Sequence, residues 1–196
     1  MKIIGLTGGS GTGKGTVAAR MRSLGAGWVD ADAVYRELCA ENRAMLDALD
    51  AAFGGVTDEN GALDRPKLAK IVFSDPEKLA ELNRITTPYI RAASLAAIRA
   101  QSACPVVLYD APTLFEARLE FLCGSIVSVT ADPENCVQRI MKRDGITEEL
   151  ARARLKSQHG EEFYRQRSGF CIENNGTQQQ LAEAALGVIS QLKGGK

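Results

Sequence analysis

The chain has 196 residues, 45% hydrophobic and 24% charged, which is enough for one real core, with or without inserted subdomains. This composition excludes disorder, collagen-like repeats and a disulfide-scaffold miniprotein. Twenty-four basic residues balance 24 acidic ones, so the basic excess of a non-specific nucleic-acid binder is missing. Five cysteines (Cys39, Cys104, Cys123, Cys136, Cys171) never form a Cys-x-x-Cys pair, which predicts buried thiols in a reducing cytosol rather than a metal clip. The apolar run Ile3–Leu6 is too short for a signal segment, and no stretch approaches the roughly 18 apolar residues of a membrane span. The expectation is a soluble cytoplasmic protein.

In chain order, Lys2–Thr7 is short, apolar and followed by glycines, the mark of a buried strand. Gly13–Leu24 predicts a helix with Val17, Met21 and Leu24 on one stripe. Gly27–Asp30 predicts a second strand. About 70 residues rich in alanine, leucine and charge follow with helical spacing. Within them, Ser74-Asp-Pro-Glu77 reads as a capping box, and Thr87-Pro88 as a point where one helix breaks or the next begins. Pro105–Asp110 and Ser125–Thr130 are two further apolar strands. Asp132-Pro133 starts a helix to about Arg143, and Thr147 caps another through Gln158. Phe170–Ile172 is a weak fifth strand, and Thr177-x-x-Gln180 boxes a terminal helix with apolar positions 181, 185, 188 and 192. Strands alternating with helices predict an α/β fold, a parallel sheet covered on both faces. The long helical insert exceeds a plain crossover and reads as a substrate-side subdomain.

Gly8-Gly-Ser-Gly-Thr-Gly-Lys14 fits the G-x-x-x-x-G-K part of a phosphate-binding loop, directly after a strand and directly before a helix. Glycines let successive amides turn inward, the helix N-terminus adds partial positive charge, and Lys14 supplies a point charge. The anion-binding set is therefore Gly9, Ser10, Gly11, Thr12, Gly13, Lys14, Gly15 and Thr16. The position after Lys14, where a serine or threonine hydroxyl would hold Mg²⁺, is Gly15. Thr16 does not simply replace it, because one residue along a helix turns a side chain by about 100°. A phosphate-bound Mg²⁺ keeps several waters and accepts an outer carboxylate, which leaves Asp110 as its candidate partner through water. A turn-forming role for Asp110 before Ala111-Pro112 stays open. Asp30-Ala-Asp32 lies at the carboxyl end of the second strand, where an open parallel sheet binds ligands. Either carboxylate is a candidate to accept a hydroxyl proton, and either is a candidate helix cap.

Read together, Gly5-Leu-Thr-Gly-Gly-x-Gly-x-Gly-Lys14, Asp30-Ala-Asp32, Leu82-Asn-Arg-Ile-Thr-x-Pro88-x-Ile90-Arg91, Pro112-x-Leu-Phe-Glu116, Arg139-x-x-x-Arg143-Asp144, Arg154-x-x-x-Gln158 and Ile172-x-Asn-Asn-Gly176 resemble the dephospho-CoA kinase family over nearly the whole chain. The resemblance implies a three-layer P-loop kinase fold with a five-stranded parallel sheet. Residues 1–33, 105–138 and 168–196 would form the nucleotide core, 34–104 the helical acceptor-side subdomain, and 139–167 an arginine-rich lid. It implies transfer of the ATP γ-phosphate to the 3′-hydroxyl of dephospho-CoA, with Mg²⁺. The default expectation for assembly is a monomer with some self-association. Asp32 is then the base, with Lys14 and Arg139 catalytic beside it. Arg139, Arg143, Arg154, Asn175 and Gly176 belong to the ATP side, and Thr7, Asp30, Asp32, Arg91, Pro112, Leu114 and Glu116 to the acceptor side. Three positions depart from the family pattern: Gly15, Thr87 where a histidine usually precedes the proline, and Gly169 where an aspartate is common.

Residues 139–167 hold eight basic and five acidic side chains, a net +3. Arg139 and Arg143 share a helix face, and a hinge at Asp144-Gly145 would let them close with Arg154 over a triphosphate. Arg152, Arg165 and Arg167 read as a solvated face, and the single His159 as surface. Gly13-x-Gly15-x-x-Ala18 is a weak dinucleotide fingerprint that leaves Lys14 unexplained. Asp58-x-x-Gly61 has no Asn-Lys-x-Asp partner for guanine. The alternatives are a kinase for another small hydroxyl acceptor, or a degenerate ATP-binding sensor.

Overall fold

The computed structural model describes residues 1–194. Its five-stranded sheet has the order β2-β3-β1-β4-β5, built from β1 (Lys2–Thr7), β2 (Gly27–Asp30), β3 (Val106–Asp110), β4 (Ser125–Thr130) and β5 (Phe170–Glu173). β1 lies between β3 and β4, parallel to both, and β4 runs parallel to β5. The register sets Leu6 opposite Asp110 and Thr7 opposite Ser128. All five residues of β3 are buried, as the unbroken apolar reading of a strand covered on both faces requires.

Two compact units divide the chain, one of Met1–Val29 with Ala100–Lys196, the other Asp30–Arg99. In the first, α1 (Lys14–Ser23) and α9 (Gln178–Gly194) bury Val17, Met21, Leu181, Ala185 and Ile189 against Ile4, Leu6, Leu108 and Val129 of the sheet. α6 (Pro133–Asp144), α7 (Glu148–Lys156) and α8 (Glu161–Arg167) follow β4. The second unit is helical, with α2 (Ala31–Glu41), α3 (Arg43–Phe53), α4 (Arg65–Phe73) and the 25-residue α5 (Pro76–Ala100). Met45, Leu46, Leu49, Val56, Leu68 and Val72 are buried in it.

Local expectations were met unevenly. Thr177 and Gln180 form a complete reciprocal box: the Thr177 amide donates to Gln180 Oε1 at 2.8 Å, and the Gln180 amide to Thr177 Oγ1 at 3.3 Å. The cap of α5 is Asp75 and not Ser74; its carboxylate reaches over Pro76, which has no N–H, to the Glu77 amide at 2.9 Å. The Ser74 hydroxyl instead closes α4, donating to the Ile71 carbonyl. Asp132 makes no side-chain cap, although its helix begins at Pro133 as expected. Thr87-Pro88 neither breaks nor starts a helix, for α5 runs through Pro88 unbroken. An interior proline costs about 3 kcal/mol, and a helix this long absorbs it, with Ile85, Thr86, Ser94 and Ile98 buried on both sides. The five thiols are free, but only Cys39 and Cys136 are buried outright. Among the described residues no helix is long and apolar enough to cross a membrane.

Candidate active site

The glycine turn joining β1 to α1 is held in a left-handed path. Gly8, Gly11 and Gly13 have φ of 144°, 78° and 94°. A Cβ at Gly8 would lie 2.3 Å from the Val129 carbonyl oxygen, and one at Gly11 would lie 2.6 Å from that of Cys136. Neither the angles nor the space admits a side chain, so these glycines are dictated by geometry.

The loop's carbonyls are occupied from behind. The Thr12 hydroxyl donates to Gly9 O at 2.8 Å, and Asn174 Nδ2 donates to Thr12 O at 2.8 Å. Arg139 donates to Gly11 O at 3.2 Å and to Asn174 O at 2.9 Å, tying α6 and the end of β5 to the loop. With these acceptors engaged, the amide side of the turn and the first N–H groups of α1 are the surface offered to an anion. They open on a cavity of about 700 Å³, within the size range of small-ligand sites. Gly9, Ser10, Gly11, Gly13, Lys14, Gly15 and Thr16 all lie on its wall, and so do Pro112, Glu116, Arg139 and Arg143.

The Lys14 ammonium forms an ion pair with the buried Asp110 carboxylate, whose other oxygen accepts from the Trp28 indole N–H at 3.4 Å. Asp110 therefore serves the phosphate lysine directly, beyond any turn-forming role. Tyr164 also lines the cavity, and burial, with the Glu116 charge, pushes its phenol up to about 12. It stays protonated at neutral pH as a donor.

Other expected contacts lie elsewhere. Thr7 is buried and donates to the Pro112 carbonyl at 3.2 Å, so it fixes the loop after β3 from beneath. Thr12 is buried as the brace just described. Leu114 is a correction: it is fully buried, packed where a Cβ on Gly5 of β1 would sit, and so cannot touch a ligand. Asn175 accepts from the Asp132 amide at 2.7 Å, and Gly176 closes against Gln180 in the box opening α9; neither lines the cavity. Arg154 is also absent from the cavity wall; with Arg143 it grips Asp144, whose carboxyl is held down to about 2, chiefly by the Arg143 hydrogen bonds. Asp30, Asp32 and Arg91 belong to the helical unit or its border. Asp30 caps α2, accepting from the Asp32 and Ala33 amides at 2.9 and 3.2 Å, and Asp32 stands in the first turn. Of the two capping possibilities, Asp30 is the cap.

The resemblance implies that the Asn174-Asn-Gly176 turn packs near the adenine of ATP, and Asn174 braces the loop carbonyl of Thr12. The sequence reading missed three residues. Gln158 stands within a quoted motif but carried no role. Trp28 and Tyr164 gave no signal, since a lone aromatic in a strand or short helix reads as core. His159 is exposed, as expected, and lies flat on Phe163, ring centroids 3.6 Å apart, beside Glu116.

A model of the family CoaE, dephospho-CoA kinase, matches residues 2–180. The dephospho-CoA kinase of Syntrophotalea carbinolica is 40% identical, over 98% of this chain and 92% of its own. Among solved structures, a Thermus thermophilus protein matches with TM-score 0.83 at 36% identity, covering 97% of both chains. The dephospho-CoA kinase from Campylobacter jejuni matches with TM-score 0.72 at 26% identity, covering 98% of both.

Proposed function

Because this chain belongs to the dephospho-CoA kinase family, we propose that it transfers the γ-phosphoryl group of ATP to the 3′-hydroxyl of dephospho-CoA, giving CoA and ADP. The observation that carries the reading is the left-handed glycine turn with its carbonyls tied back, Lys14 beside it and Arg139 behind it. Such a site performs phosphoryl transfer by positioning and charge stabilisation, with little covalent work for the protein. Lys14 exchanges Asp110 for the β- and γ-phosphate oxygens, while Arg139 holds the loop and adds positive charge. Asp32, directly after β2, is the carboxylate we assign to the departing hydroxyl proton, and Glu116 and Pro112 shape the acceptor side.

The residues present fit Mg²⁺. Asp110 is a hard oxygen donor beside Lys14, and nothing stands within 4 Å of a Cβ at Gly15. Among the described residues no cluster of three or more His, Cys, Asp or Glu could hold a metal alone. A bound ion would rest on phosphate oxygens and water, with Asp110 in its outer sphere, and would neutralise phosphate charge. We also assign the protein to the cytoplasm, acting as a monomer.

The test is incubation with Mg-ATP and a panel of dephospho-CoA, adenosine, AMP and shikimate, following ADP release. Turnover on dephospho-CoA is expected; brisk turnover on another acceptor with none on dephospho-CoA would overturn the substrate assignment. Asp32→Asn is expected to lower kcat by at least about 10²-fold, in line with general-base catalysis. An unchanged kcat removes Asp32 from that role.

A further inference from the structure

Gln158 follows directly on the C-terminal end of α7. Its backbone N–H is bound to Leu155 O at 3.1 Å, so its side chain projects from a fixed point. That side chain meets the phosphate loop twice. The Ser10 amide donates to Gln158 Oε1 at 2.8 Å, and Gln158 Nε2 lies 3.1 Å from Ser10 Oγ. The two contacts determine one another. A backbone N–H can only donate, so the carboxamide oxygen must face it, and the NH₂ group is then turned toward the serine hydroxyl. The NH₂ group can only donate, so Ser10 Oγ accepts here. Its own proton is thereby directed elsewhere, and Ser10 lies on the wall of the cavity that holds Lys14 and Arg139.

We propose that Gln158 is a positioning residue for phosphoryl transfer, holding Ser10 so that its hydroxyl donates to the terminal phosphate of the bound nucleotide. This rests on the kinase reading above and adds to it a residue pair. A proton donor preset toward developing phosphate charge stabilises the transition state without reorganising at the moment of reaction. The same pair ties the end of α7 to the loop, so the donor is in place only when that helix is seated.

The test compares Ser10→Ala, Gln158→Ala, their double variant, Ser10→Thr and Gln158→Glu. Readouts are kcat and KM for ATP, with binding of ADP and of a non-hydrolysable ATP analogue. Ser10→Ala and Gln158→Ala are each expected to lower kcat about tenfold, the scale of one hydrogen bond. The double variant should lose no more than either single one, because the two act as a unit. Analogue binding should weaken about tenfold with ADP binding unchanged, since only the third phosphate is engaged. Ser10→Thr keeps the hydroxyl and should retain most of the activity. Gln158→Glu, whose second oxygen accepts and pulls the serine proton away, should be worse than Gln158→Ala. The proposal is overturned if Ser10→Ala keeps full kcat, if the losses multiply in the double variant, or if ADP and analogue binding weaken alike. The binding comparison needs no acceptor, so it stands or falls separately from the assignment of dephospho-CoA.

Discussion

The phosphate loop and the segment 139–167 belong to the same compact unit, and both carry glycines at positive φ, yet they are held by different physics. The loop is locked by backbone. Gly8 and Gly11 press against carbonyls of β4 and α6, and buried Thr12 and Asn174 fill its back. The segment 139–167, beyond the ties of Arg139 and Gln158 to the loop, leans on charge at the surface. Asp144 takes two arginines, Arg152 takes Glu134 and Glu148, and Val137, Ile140 and Ala151 make a small core with Met141, Ile146 and Leu155 packed against it. Gly145 has φ of 65° with nothing near its Cβ position. A loop that must present amides to an anion gains from rigidity, whereas a cover gains from contacts that water can replace.

Lys14→Met should break this contrast most severely. Removing one preset charge at the transferring phosphate is expected to lower kcat by about 10²–10³-fold. It also strands the buried Asp110 carboxylate, so the melting temperature should fall. In Lys14→Met/Asp110→Asn the stranded charge is gone, and stability should return while activity does not. Recovery of both would show that Lys14 acts only as a structural partner.

Gly11→Ala and Gly145→Ala separate the two regions by stability. Left-handed backbone costs an alanine about 1–2 kcal/mol at either site. At Gly11 the new methyl also meets a backbone oxygen that cannot move away. The expected loss is larger at Gly11, each kcal/mol being worth roughly 2–4 °C in a domain of this size. Nucleotide affinity should fall with Gly11→Ala and hold with Gly145→Ala. Equal losses by calorimetry would mean that the loop is no more rigidly seated than the turn at Gly145.

The strands and the loop were legible because their signals are local: unbroken apolar runs, and a glycine spacing with few physical meanings. Pro88 was misread because a single-residue rule cannot see the long helix that absorbs it. The Asp144 hub was not legible for a related reason. Spacing on a helix says that Arg143 and Arg154 can reach a phosphate, but not that Asp144 takes both first. Leu114 fell within a motif whose ends, Pro112 and Glu116, line the cavity, and only packing reveals that it faces the core. Gln158 was invisible as a loop ligand because its partner lies 148 positions away in sequence.

Gly15→Ser sharpens the comparison from the loop's permissive side. Position 15 is helical, exposed and unobstructed, so serine should fit without moving the turn and should add a few tenths of a kcal/mol of helix preference. Its hydroxyl stands where phosphate-loop enzymes hold their metal. The Mg²⁺ concentration for half-maximal activity is expected to fall severalfold, with kcat little changed. An unaltered metal requirement would mean that phosphate oxygens and water already complete the coordination, with Asp110 outside it.

The smallest effect concerns the ionic hub at Asp144. The Asp144 carboxyl titrates near 2 in the fold, against an ordinary value of 3.8. A depressed carboxylate stabilises the fold above its unfolded value, and that contribution disappears as pH falls through the folded value. Because Arg143 and Arg154 are solvent-exposed, screening keeps the effect small, so it is best read as a difference between two proteins. The melting temperature of the wild type minus that of Asp144→Asn should be positive and constant above about pH 4, then shrink toward zero by pH 2. The paired Glu134 and Arg152 titrate alike in both proteins and cancel. The difference in hydrogen exchange in α7 between the two proteins should follow the same curve, while the difference in β1 and the loop should not, because Asp144 bonds to neither. A difference that persists unchanged to pH 2 would mean that packing of Val137, Ile140 and Ala151, rather than Asp144, keeps α6 and α7 together.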